Sequence, residues 1–150
     1  MTTGCDYSAI KEELRYILES SELLSPCRAV SDEQIIVGAD DMPQIFIYLL
    51  RRTAPDGLQL LAAGKKQVYH LEFAIYTFLY GLELKPLLRA RDNLIKNIET
   101  VLMNNRTFNE LVDTSWLRGG EMPSGKLEGD EVGVVAGGEI LLTAEIEFNS

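Results

Sequence analysis

Gln67-Val-Tyr-His-Leu-Glu-Phe-Ala-Ile-Tyr-Thr-Phe-Leu-Tyr80 is the stretch whose reading decides the fold. Its odd positions are Tyr69, Leu71, Phe73, Ile75, Thr77 and Leu79; its even positions are Val68, His70, Glu72, Ala74, Tyr76, Phe78 and Tyr80. Alternation with period two, rich in aromatic and β-branched residues, predicts a strand with its odd face on a core. The even face begins polar and turns aromatic at Tyr76, Phe78 and Tyr80. Fourteen extended residues span roughly 45 Å at ~3.3 Å each, well past the usual strand of ~5–6 residues. Such a strand must bend or outrun its own sheet, and its second apolar face suits contact with another subunit.

Upstream, Asp6–Ser20 predicts a capped amphipathic helix, with Ile10, Leu14, Ile17 and Leu18 on one face and Lys11, Glu12, Glu13 and Arg15 on the other. Pro26 stops it. A short extended piece, Cys27–Val30, follows, then an arm over Ser31–Asp41. The Pro43-led run Gln44-Ile-Phe-Ile-Tyr-Leu-Leu50 is apolar on both faces and predicts a central strand. Pro55-Asp-Gly57 is a turn; Leu58–Ala63 fits a short strand or a helical turn, and Gly64-Lys-Lys66 turns into the long strand. Short turns favour an antiparallel meander.

Downstream, Gly81 breaks the strand and Pro86 sits in the first turn of a helix running to about Met103, with Leu87, Leu88, Leu94, Ile95, Ile98, Val101 and Leu102 at helical spacing. Lys85, Arg89, Asp92, Lys96 and Glu99 form its mostly basic outer stripe. Thr107–Val112 reads as one more helical turn. Residues 113–138 read as a Gly-rich loop, with Trp116, Leu117, Met122 and Val132-Gly-Val-Val135 as apolar anchors. Glu139–Phe148 alternates cleanly and closes the fold as a one-sided strand with an acidic outer face. The expectation is one α+β domain, with a mostly antiparallel sheet of about four or five strands under an N-terminal and a long central helix.

The chain has 150 residues, 46% hydrophobic and 25% charged, a globular composition long enough for a real core. Its formal charge of −9 is distributed as −4 over residues 1–54, +1 over 55–112 and −6 over 113–150. With no basic cluster to neutralise phosphates, sequence-specific nucleic-acid binding is not expected. No apolar run reaches the ~20 residues of a membrane-spanning helix, and Met-Thr-Thr-Gly-Cys-Asp lacks the layout of a secretory signal. The reading is a soluble intracellular protein whose Cys5 and Cys27 are free thiols.

Residues that carry chemistry are sparse. His70 is the only histidine; with Glu72 on the same strand face it could be a base with an orienting carboxylate, or simply a polar residue on the less buried face. Asp40-Asp41 and Asp130-Glu131 could offer oxygen ligands to a divalent cation or be solvated acidic turns. Gly119-Gly120 and Gly137-Gly138 lack the surroundings of a phosphate cradle. Catalytic residues, cofactors and metals are therefore not expected. Tyr76, Phe78, Tyr80, Lys85, Arg89, Lys96, Trp116, Leu117 and Met122 are instead the candidates for subunit and tube interfaces, and the basic helix stripe complements the acidic end.

The order of elements (helix Asp6–Ser20, strand Pro43–Tyr48, long strand Gln67–Tyr80, helix Pro86–Asn104, loop-rich return, strand Ile140–Phe148) resembles the tail terminator, or tail completion, proteins of long-tailed bacteriophages, the family of the lambda minor tail protein U. The resemblance covers most of the chain as architecture and size, without a signature motif. It implies a structural, non-enzymatic virion protein, made in the host cytoplasm. Such a subunit forms a homo-oligomeric hexameric ring that caps the tail tube protein, ends tail growth and offers a surface to the head–tail connector protein. Another neck or connector protein, or a monomeric acidic binding module, are the alternatives.

Overall fold

In the computed structural model, residues 4–35, 44–55, 66–126 and 133–149 are described. Their order is helix α1 (Tyr7–Ser20), a 3₁₀ turn (Glu22–Leu24), strands β1 (Arg28–Ser31), β2 (Gln44–Thr53) and β3 (Lys66–Gly81), helix α2 (Leu84–Met103), and strands β4 (Thr114–Leu117), β5 (Ser124–Lys126) and β6 (Val134–Asn149). The strands form one six-stranded sheet in the order β1-β2-β3-β6-β4, with β5 also on β6. The fold is α+β with both helices on one face of a mostly antiparallel sheet, as the alternation and helical spacing predict.

β3 and β6 are the spine. They pair antiparallel over all sixteen residues, from Lys66↔Asn149 to Gly81↔Val134. The long strand therefore does not outrun the sheet: β6 begins at Val134, five residues before the alternating stretch, and is equally long. β2 covers β3 between His70 and Phe78, with a bulge at Leu50 that leaves that side chain exposed. One expectation fails here. β1 pairs with β2 in parallel, Arg28↔Gln44 to Ser31↔Ile47, so the first strands are not a meander.

The core lies between sheet and helices. Leu71, Phe73 and Ile75 of β3 meet Ile45 and Ile47 of β2, Ile140, Leu142 and Ala144 of β6, Leu14 and Leu18 of α1, and Ile98 and Leu102 of α2. Asp6 caps α1 by accepting from the Ala9 N–H at 3.0 Å. Arg52 closes the open end of this layer: it donates to the Tyr7 hydroxyl at 2.6 Å and lies 5.4 and 5.2 Å from the Tyr7 and Tyr69 ring centres.

Two differences from expectation have clear causes. The Gly-rich segment, expected as a loop docked through its apolar anchors, does dock over its described part, but as strands β4 and β5 and the start of β6. β4 and β5 are joined by a run that follows β6: Arg118 N–H donates to Leu141, Leu141 to Gly119, Glu139 to Glu121 and Gly137 to Pro123. Gly120, at φ +148, approaches β6 so closely that a Cβ would lie 1.8 Å from the Glu139 carbonyl oxygen. Its glycines permit contact where composition suggests slack. Thr107–Val112 is not a right-handed helical turn either, since Phe108, Asn109 and Glu110 have φ of 48, 56 and 68. Phe108 is fully buried and packs edge-on to Phe73, which holds the left-handed turn in place.

Pro43, the Asp40-Asp41 and Asp130-Glu131 pairs, the Leu58–Ala63 piece and most of the Ser31–Asp41 arm lie outside the described residues.

Candidate functional site

The two described helices cover one face of the sheet, and among the described residues no helix lies over the other face. Strand register arranges its side chains in rows. Arg51, Glu72, Thr143 and Trp116 form one row across β2, β3, β6 and β4; Thr53, His70, Glu145 and Thr114 form the next. In the other direction come Tyr48, Ala74 and Leu141, then Phe46, Tyr76 and Glu139, then Phe78 beside Gly137. Half the face is an aromatic floor and half is a charged strip.

On the floor, Tyr48 and Tyr76 meet edge-on at 5.8 Å between ring centres, and Phe46 and Phe78 at 6.4 Å. Phe78 lies over Gly137, where a Cβ would come within 2.8 Å of its ring. Phe46 and Ala74 are buried, while Tyr76, Phe78 and Tyr80 stay half-buried. Burial, then a hydrogen bond with Glu139, pushes the Tyr76 hydroxyl above its ordinary pKa.

In the strip, Glu72 is gripped by two arginines. Arg51 donates through Nε and, at 3.4 Å, through Nη2; Arg118 donates at 2.9 Å. These bonds, that from Arg51 foremost, hold the Glu72 carboxyl below its usual range. His70 pairs with Glu145, Nε2 to Oε1 at 3.0 Å, and meets Trp116 edge-on at 5.4 Å. The carboxylate beside the histidine thus comes from β6, not from Glu72 two residues along. Glu72 is taken up by its arginines, so the anticipated His70–Glu72 pairing is not formed.

The remaining candidates fall elsewhere. Trp116 is half-buried on the helix-free face, but Leu117 alternates to the other side and packs on the core. Lys85, Arg89 and Lys96 are exposed on α2, across the sheet from the aromatic floor. Met122, 47% exposed, joins Lys96, Asp92 and Glu99 along a groove of about 590 Å³ beside α2. A wider depression of about 810 Å³ separates the C-terminal ends of α1 and α2 and is lined by Tyr16, Leu23, Met103, Asn105 and Arg106 among others.

Arg91 was not singled out by sequence reasoning. It is buried on α2, and its Nη1 donates to the carbonyls of Met122 at 3.0 Å, Pro123 at 3.3 Å and Gly137 at 3.4 Å. A signal existed: Arg91 interrupts the apolar series Leu87, Leu94, Ile95 and Ile98 at a core-facing position. It clamps the Gly-rich run to the helix.

Both cysteines are free, and burial raises both thiol pKa values, disfavouring the reactive thiolate. Among the described residues no group of three or more His, Cys, Asp or Glu is disposed to hold a metal, and no helix is long and apolar enough to cross a membrane. No family model matches the chain, and no curated protein matches its sequence.

Proposed function

We propose that this chain is a structural, non-enzymatic subunit of a long-tailed phage virion, a tail terminator. It assembles as a ring on the head-proximal end of the tail tube, ends tail growth and presents a joining surface to the head. The observation that carries the reading is the one-sided sheet: among the described residues all helix packing is on one face, while the other carries an aromatic floor built from β2 and β3, on which Tyr48, Tyr76 and Phe78 are half-buried and Phe46 is buried. An aromatic sheet face of this kind is the material of a protein interface. Charge adds direction. Glu139, Glu145 and Glu147 of β6 belong to the helix-free face, and Lys85, Arg89 and Lys96 to the helix layer behind it. Opposite charges on opposite sides of a subunit favour head-to-tail contacts, which close into rings when the rotation permits.

Sedimentation velocity with electron microscopy of the purified protein, alone and mixed with tail tubes, tests the proposal. Rings in solution or at tube ends are expected. A species monomeric at high concentration that leaves tube ends bare would overturn it.

A further inference from the structure

Beside the aromatic floor is a pocket of about 340 Å³, lined by Leu50, Arg51, Glu72, Arg118, Leu141 and Thr143 among others. Two features are unexplained by the fold. Thr143 is 3% exposed, yet its hydroxyl oxygen is buried with no hydrogen-bond partner. Folded proteins rarely leave such a group unpaired, because its desolvation is uncompensated. Second, two guanidiniums converge on one carboxylate: Arg51 and Arg118 bring two positive charges and Glu72 one negative. The cluster keeps a net charge of +1 and spare N–H donors, since each guanidinium carries five. In a chain of net charge −9, such a centre is out of character and electrostatically suited to an acid.

We propose that this pocket receives a carboxylate side chain from a second copy of the chain. The guest carboxylate neutralises the second guanidinium through charge-assisted hydrogen bonds, and the Thr143 hydroxyl, after a turn about χ1, donates to it. Leu50 and Leu141 contact the methylene stem. The donor cannot be the same molecule's helix layer, because the sheet stands between. α1 carries Glu12, Glu13 and Glu19 on that layer, Glu12 and Glu19 already pairing with Arg15, and the 3₁₀ turn after it adds Glu22. An acid from a neighbour's N-terminal helix or turn therefore gives the same head-to-tail sense as β6 acids against the α2 stripe. The inference rests on the ring reading and names one contact within it.

The test is sedimentation velocity across a concentration series at fixed ionic strength, for the wild type, Thr143→Val and Arg118→Gln. Thr143→Val removes a hydroxyl that has no partner in the isolated subunit, so the thermal midpoint should hold or rise. Its association should nevertheless weaken about three- to ten-fold, the worth of one hydrogen bond. Arg118→Gln should weaken association by about ten-fold or more. Rings that form equally well in both variants would overturn the pocket assignment and leave the ring reading standing. A monomeric wild type would overturn both. A glutarate titration against glutaramide, read by the single tryptophan, Trp116, separates the sources: saturable glutarate binding by a monomer, lost in both variants, would mean a free carboxylate ligand and overturn the second-copy assignment.

Discussion

Ile95 of α2 occupies the space that a side chain at Gly138 of β6 would need: a Cβ there would lie 2.2 Å from Ile95 Cδ1 and 2.8 Å from Cγ1. The helix is seated directly on the backbone of the sheet at this point. Gly138→Ala is therefore expected to lower stability by about 1–3 kcal/mol through overpacking. Pairing it with Ile95→Val should recover part of the loss, a coupling that urea unfolding of the four proteins of the cycle measures.

Arg91 joins α2 to the run that follows β6. Arg91→Met should cost about 1.5–3 kcal/mol, the worth of hydrogen bonds from a charged donor to carbonyls left buried. Amide exchange should rise mainly across residues 118–126. Arg91→Lys should recover little, because a single ammonium does not reproduce the spread of a guanidinium.

Glu72 makes stability depend on pH in a definite direction. Its folded pKa lies below the ordinary value of 4.5, Arg51 being the main cause. Its contribution is complete above 4.5 and is lost as pH falls through the lower folded value. The stability gap between wild type and Glu72→Gln should stay constant from neutral pH to about 5 and close on further acidification. Denaturant midpoints at a series of pH values check this; a gap that widens with acid would contradict the assignment.

Glu110 has φ of 68, a left-handed conformation that costs an ordinary residue roughly 1–2 kcal/mol. It is exposed, so glycine loses no packing there. Glu110→Gly should raise stability by about 0.5–1 kcal/mol, against the usual cost of introducing glycine. Thermal unfolding decides the sign.

Trp116 belongs to the same face as the aromatic floor and touches His70. Trp116→Ala is expected to weaken self-association and tube capping while lowering fold stability by about 1–3 kcal/mol, one aromatic contact plus the apolar area a half-buried indole covers. Far-ultraviolet circular dichroism and sedimentation on one sample separate the two effects. Unfolding of the variant would make Trp116 a core residue.

Much of the architecture is legible in local pattern. Period two through Tyr69–Leu79 and Ile140–Phe148, and helical spacing through Ile10–Leu18 and Leu87–Leu102, determine which residues form strands and helices and which faces are buried, because each element must hide one apolar side from water. The aromatic second face of β3 is visible in the same way. Partners in space are a different matter. The parallel pairing of β1 with β2, the choice of Glu145 over Glu72 beside His70, and the Arg51–Glu72–Thr143–Trp116 row all depend on register between segments far apart in the chain, which short-range pattern does not encode. The glycines show the limit most plainly: their composition signals slack, yet Gly120 and Gly138 sit where backbone meets backbone or helix, and only tertiary packing shows that a missing side chain is space already filled.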